Sequence, residues 1–360
     1  MNPPSDAPAD RFRILAIDGG GIRGLIPARV IAELERRLGE ATGNEARAAD
    51  CFHLFAGTST GGLIALALTT PDPARPDRPK LSAADLASLY EVDGPRIFGW
   101  SLHRVLTLDG WLGPKYPLTE LERAVKRRLG EVRLAEALRE LLVSSYDMHE
   151  REPFFFKRWR ARESADRDSR MLDAALATSA APTYFPSYGI DDRALVDGGV
   201  YVANPTVAAI AEALKRTTDD PAGLVPHDLM VVSLGTGSHE EGFEQRQVRR
   251  WGRLGWIVPK DHDPPLIGAM LDGQSDASDH WAHMLLNAEP GEGPPDPAEI
   301  GRGPRYFRLQ VELRVPIALD DASASARAQL GEAADRLIAD HDDLLDTIVE
   351  RLAPFDALRP

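Results

Sequence analysis

An α/β fold around a largely parallel sheet is predicted by three observations. Apolar runs of strand length alternate with segments whose apolar residues recur at helical spacing, the order expected of a layered α/β protein. Four of the strand-like runs end in glycine clusters, at Asp18-Gly19-Gly20-Gly21, Gly57-Thr58-Ser59-Thr60-Gly61-Gly62, Asp197-Gly198-Gly199 and Gly235-Thr236-Gly237, where a chain leaving a sheet must turn sharply. The 360 residues, 43% hydrophobic and 27% charged, suffice for a sizeable core. No repeat or low-complexity linker interrupts them. Residues 11–355 therefore read as one domain with insertions near 91–115 and 239–303, after a loose tail over 1–10.

The elements follow in order. Residues 11–18 (RFRILAID) form a strand that stops at an acidic residue. Val30, Ile31, Leu34 and Leu38 give 27–39 one apolar helical stripe. Residues 51–56 form a second strand, and 63–68 suit a buried helix. Residues 70–79 are a proline-rich loop, and Ser82 caps a helix that reaches position 90. Residues 91–115 are irregular and aromatic. Stretches 118–129 and 134–138 are helical, 140–146 and 153–159 are strands, and 171–179 is a helix ending near Pro182. Residues 193–196 are a short strand running into Asp197, and an alanine-rich helix follows Asn204-Pro205. Residues 229–234 are a strand, 239–303 are weakly periodic, 306–313 form the last strand, and helices cover roughly 322–352.

Charge and cysteine content narrow the class. A formal net charge of −14 removes any broad attraction to DNA, RNA or anionic lipid, while leaving room for a local basic patch. The single cysteine, Cys51, allows no intrachain disulfide, and its apolar neighbours mark it as a small buried residue. No apolar run approaches the roughly 18 residues of a membrane span, and residues 1–10 have neither the basic nor the apolar region of a signal peptide. A soluble, cytoplasmic protein is expected.

The chemistry centres on Ser59. Flanked by Gly57 and Gly61 on a strand-to-helix turn, its hydroxyl is exposed at a helix N-terminus, as a serine nucleophile requires. The run Asp18-Gly19-Gly20-Gly21-Ile22-Arg23-Gly24 presents consecutive bare amides, a receptor for an oxyanion. Gly19, Gly21 and Gly24 also satisfy the spacing of a dinucleotide-binding loop, which leaves an oxidoreductase as an alternative. Against it, the next strand leads into GTSTGG in place of an acidic residue for a ribose. A serine also needs a base. The late histidines (His227, His239, His262, His280, His283, His341) lie in polar or irregular sequence, and His53 sits in the strand before Ser59. Asp197, at a strand end beside two glycines, is either a base or an ordinary turn aspartate.

In combination these motifs resemble those of the patatin-like phospholipase family, whose signature is a DGGGxRG loop, a GTSTGG elbow and a DGG or DGA motif. Here they stand as DGGGIRG at 18–24, GTSTGG at 57–62 and DGG at 197–199, in the family's order. SYD at 145–147, ATSAAPTYFP at 177–186 and SLGTG at 233–237 are similar too, so the likeness spans roughly 12–313. The resemblance implies a three-layer fold with a mostly parallel sheet flanked by helices. It implies Ser59 as nucleophile and Asp197 as its sole general base. Gly19, Gly20 and Gly21, chiefly the last two, would supply oxyanion amides, with Arg23 bracing the loop or adding positive charge. The implied reaction is hydrolysis of acyl esters of membrane phospholipids or neutral lipids, of phospholipase A1 or A2 type, through an acyl-enzyme and with no metal or cofactor. Some compact bacterial family members are effectors of antiphage signalling systems. A cyclic dinucleotide or oligonucleotide activator is expected on that ground; peripheral contact with the inner membrane follows from the lipase reading, and homo-oligomer formation is a further expectation.

Two segments suit membrane contact. One, 96–111, is rich in aliphatic and aromatic residues; the other, 246–258, interleaves Arg246, Arg249, Arg250 and Arg253 with Trp251 and Trp256. A covering helix with a solvated basic face is the alternative for each. A non-catalytic lipid-binding protein on the same scaffold is the alternative for the whole chain.

Overall fold

Along the strand β1 (Phe12–Ile17), side chains alternate between two apolar layers. Leu15 and Ile17 enter the core on one face of the sheet, Ile14 and Ala16 the core on the other, and all four are fully buried. A strand buried on both faces needs helices on both sides. The computed structural model describes residues 10–99, 103–104, 107, 111–216, 223–239, 242–258, 264–287 and 304–353.

The remaining strands of the main sheet are β2 (Leu54–Thr58), β5 (Glu140–Asp147), β6 (Glu152–Lys157), β7 (Tyr188–Ile190), β8 (Arg193–Asp197), β9 (Leu229–Leu234) and β10 (Tyr306–Leu309). A separate hairpin joins β3 (Pro71–Asp72) and β4 (Arg75–Pro79). The main sheet runs β10-β9-β1-β2-β5-β8-β7, with β6 pairing on β5. The pairings from β10 through β5 are parallel, and β6, β8 and β7 join through antiparallel ones. On the larger core lie the helices Leu25–Thr42, Thr60–Thr69, Thr119–Leu129, Met171–Thr178, Ala324–Asp340 and Asp342–Leu352. On the other face lie Thr206–Arg216 and Pro265–Leu286. The result is the expected three-layer α/β arrangement with a central, mostly parallel sheet.

Four local departures have physical causes. The strand expected from position 51 begins at Leu54, because Ala48–Cys51 is a helical turn whose Asp50 carboxylate accepts from the Arg47 amide at 2.8 Å. Cys51 is buried there, and burial pushes its thiol up to about 12. The loop expected over 70–79 is the β3–β4 hairpin, whose turn is held by Asp72 Oδ1 accepting from the Ala74 amide at 2.9 Å. Trp159 lies in the helix Arg158–Glu163 and not in the strand before it.

The fourth departure is the 22-residue helix Pro265–Leu286 inside the region of weak periodicity. Apart from Pro265, its buried residues are Ser278, Ala282 and Leu286, one narrow stripe at intervals of four, while Leu266, Met270, Trp281, Met284 and Leu285 are exposed. Residues 1–9, Trp100, Leu102, Val105, Leu106 and the stretch 288–303, which figured in the sequence reading, lie outside the described residues. Among the described residues no helix is long and apolar enough to cross a membrane.

Candidate active site

The sheet's hydrogen bonding brings the two motif residues together. β2 and β5 pair in parallel as far as Thr58 opposite Ser144. At the next residue β5 changes partner, and Ser145 pairs with Asp197 of β8. Ser59 follows Thr58 directly, so serine and aspartate arrive at neighbouring points of one strand. They do so at the carboxyl ends of the parallel strands, where open α/β sheets bind ligands. β1, between β9 and β2, delivers the glycine loop to the same place.

Ser59 has φ 55° and ψ −121°. This is a sparsely populated conformation for a residue with a side chain and costs roughly 1–3 kcal/mol. The surroundings hold it there. Its amide donates to Thr178 Oγ1 at 2.9 Å, and its carbonyl accepts from the Leu63 amide at 3.0 Å in the first turn of Thr60–Thr69. A Cβ on Gly57 would fall 2.2 Å from the Gly61 carbonyl oxygen, and one on Gly61 would fall 2.1 Å from the Ile17 carbonyl oxygen. Only glycine fits either position of the elbow.

Asp197 is 5% exposed. Its Oδ1 accepts from the Gly199 amide at 2.8 Å, and its own amide donates to the Ala180 carbonyl at 3.0 Å. Burial pushes its carboxyl up to about 6, against the opposing pull of the Ser59 side chain and the Gly199 amide. Ser59 and Asp197 share the wall of a cavity of about 270 Å³ with Gly19, Gly20 and Gly21. Most of the remaining wall is apolar, including Leu63, Leu89, Ile97, Phe98 and Phe185. No histidine among the described residues lines it. His53 sits just before β2, at the end remote from Ser59, where its Nδ1 accepts from the Arg13 amide at 2.9 Å and burial pushes it down to about 4. His262 lies outside the described residues.

Within the glycine loop, the three glycines and Arg23 named for oxyanion binding differ in what they touch. The Gly19 amide donates to the Ala203 carbonyl at 2.9 Å. Arg23 is not on the cavity wall; its guanidinium sits 3.5 Å from the carbonyls of Gly20 and Gly237 and braces the loop from behind. The amides of Gly20 and Gly21, unlike that of Gly19, have no acceptor among the described residues. Gly21 has φ 57°, and a Cβ there would meet the Leu319 carbonyl oxygen at 2.1 Å. Thr236 Oγ1 donates to the Gly19 carbonyl at 2.8 Å and stands where a Gly20 side chain would have to go.

Asp18 turns away from the chemistry. It takes both Arg308 Nη atoms, at 3.0 and 2.6 Å, and the Ser275 hydroxyl at 3.0 Å. Burial pushes its carboxyl up while Arg308 pulls it back. Among the described residues no group of three or more His, Cys, Asp or Glu side chains is gathered as metal ligands would be.

The family profile described as patatin-like phospholipase matches residues 15–210. The chain belongs to the patatin-like phospholipase family. It is 33% identical to Patatin-like protein 2 of Arabidopsis thaliana, over 94% of this chain and 84% of that one. It is 35% identical to Patatin-like protein 1 of Oryza sativa subsp. indica, over 81% and 75% of the two chains, and 36% identical to Patatin-07 of Solanum tuberosum, over 68% and 66%. Membership implies lipid acyl hydrolysis as the general activity. These three relatives are plant proteins, so the narrower kinship with bacterial antiphage effectors stays a proposal.

The patatin-like match contains Ser59, Asp197 and Thr178 but ends before Thr236, Ser275 and Arg308, which buttress the glycine loop. Thr178 and Thr236 fall in stretches that the sequence reading singled out without assigning them roles. Ser275 and Arg308 carried no signal, being isolated polar residues whose partner Asp18 is far away in the chain.

Proposed function

We propose that the protein hydrolyses acyl esters of membrane phospholipids through a Ser59–Asp197 dyad. Ser59 Oγ attacks the ester carbonyl and its proton passes to the Asp197 carboxylate. The amides of Gly20 and Gly21 stabilise the tetrahedral oxyanion. Protonated Asp197 then gives its proton to the departing alcohol oxygen, leaving the acyl group on Ser59. A water, deprotonated by Asp197 in its turn, attacks the acyl carbonyl, and the fatty acid leaves as Asp197 returns that proton to Ser59 Oγ. One observation carries this reading: a strained, partly exposed serine and a buried aspartate meet on the wall of one apolar cavity, and that aspartate's carboxyl is pushed up to about 6. A group poised there both accepts and returns a proton near neutral pH.

The test measures fatty acid release from phospholipid vesicles alongside turnover of a soluble ester, p-nitrophenyl butyrate. Ser59→Ala and Asp197→Asn are each expected to lose about 10³-fold or more in kcat while keeping the wild-type circular dichroism spectrum. Wild-type kcat/KM should fall on the acid side with an apparent pKa near 6, since the carboxylate is the base. Substantial turnover in either variant would reject the dyad. Activation by a cyclic nucleotide rests on the family resemblance alone. It is tested in the same assay by adding a nucleotide panel, and vesicle hydrolysis unchanged by every nucleotide would remove it.

A further inference from the structure

We infer that the surface beside the cavity formed by residues 242–258 and the first turns of the helix Pro265–Leu286 docks on a bilayer containing anionic phospholipid. The inference rests on the lipid-hydrolase reading of the cavity and specifies the form in which the substrate is met.

Leu254 and Ile257, one turn apart in the helix Arg253–Ile257, are 68% and 50% exposed. Leu266 and Met270, one turn apart in Pro265–Leu286, are 44% and 45% exposed. The two helices pack against each other, which gathers these side chains into one region. Met270 also lines the cavity, beside Ile267 and Leu271. Apolar surface thus leads from the outside of the molecule to the wall that holds Ser59, so an acyl chain entering here exchanges one hydrocarbon environment for another.

Charge selects the partner. The chain as a whole carries −14, yet residues 242–258 hold Arg246, Arg249, Arg250 and Arg253 against one acid, Glu244. All four arginines are exposed, and none has an ion-pair partner among the described residues. Elsewhere surface arginines find acids: Arg36 with Glu33 at 2.7 Å, Arg133 with Asp168 at 2.8 Å, Arg170 with Asp173 at 2.6 Å. The segment is also stiffened. Trp251 packs edge-on against Phe243 and Trp256, with ring centroids 4.7 and 5.2 Å apart. Unpaired guanidinium groups around exposed apolar side chains match phosphate headgroups around hydrocarbon. The same charges oppose a second copy, because a two-fold contact through this face would bring eight arginines together.

The experiment uses the full chain carrying Ser59→Ala, so that vesicles are bound without being digested. The probes are vesicles of equal parts phosphatidylglycerol and phosphatidylcholine, or of phosphatidylcholine alone. Co-sedimentation is expected with the anionic vesicles, weakening about tenfold on going from low to high salt. In that background Arg249→Glu/Arg250→Glu and Leu254→Asp/Ile257→Asp should each weaken binding about tenfold or more. With Ser59 intact, both double variants should keep p-nitrophenyl butyrate turnover within about twofold, since none of the four residues lines the cavity, while vesicle hydrolysis falls with binding. Unchanged vesicle binding in both double variants would overturn the inference. So would a wild-type dimer in size-exclusion chromatography that Leu254→Asp/Ile257→Asp converts to monomer, since the face would then belong to a second copy. Failure of the dyad would appear separately, as soluble-ester turnover surviving in Ser59→Ala.

Discussion

Asp18 and Asp197 stand at the ends of two strands of the same sheet, both almost fully buried, and their neighbours give them opposite characters. Asp18 faces the Arg308 guanidinium and the Ser275 hydroxyl and serves as an anchor. Among the described residues no cationic side chain pairs with Asp197, so burial dominates and holds its carboxyl near 6. A folded-state value above the unfolded 3.8 means that this carboxyl favours folding only while protonated. That contribution is complete below about pH 4 and is lost as pH rises through about 6. Asp197→Asn, which mimics the protonated form, should therefore match wild-type stability near pH 4 and exceed it by about 3 kcal/mol near pH 8. Urea unfolding at the two pH values checks this, and a variant less stable than wild type at the higher pH would contradict it. The aspartate proposed as the base is thus expected to weaken the fold at the pH where its carboxylate form is required.

At the scale of elements, the elbow at Ser59 depends on a contact from outside its own strand and helix. Thr178, at the end of Met171–Thr178, accepts the Ser59 amide. Thr178→Val leaves that amide without a partner, a loss of about 1–3 kcal/mol. We expect kcat to fall about 10- to 100-fold with KM little changed, and Thr178→Ser to restore most of it. Equal losses in Thr178→Val and Thr178→Ser would point to packing in place of the hydrogen bond. The elbow itself was legible in the sequence because Gly57 and Gly61, whose absent side chains permit it, lie within a few residues of Ser59. Asp197 was not legible alone. An aspartate before two glycines is the same string whether or not β8 pairs beside β2, and the family resemblance singled it out. The sequence does not show that the Gly19 amide is engaged, because the acceptor that claims it, Ala203, is distant in the chain. The helix Pro265–Leu286 escaped notice because it buries only a thin stripe, and the apolar residues it exposes blur the periodicity that would mark it.

Across the whole molecule the sheet is unevenly held. β1 and β9 pair along six residues with helices over both faces, whereas β8 meets β5 at three residues and β7 at three. Protein structures open first where such pairing is short. Because β5 hands over from β2 to β8 between Ser144 and Ser145, Ser59 belongs to the strong part of the sheet and Asp197 to the weak part. In a urea titration, esterase activity should disappear at a lower concentration than the far-ultraviolet dichroism, and coincident midpoints would show that edge and centre yield together. If the edge does yield first, mild stress would release β8, the short strand that carries Asp197 and meets β5 at three residues, while Ser59 stays fixed in its elbow. A partly damaged molecule would then fall silent before it fell apart, a safeguard against stray hydrolysis by a lipid acyl hydrolase that is failing.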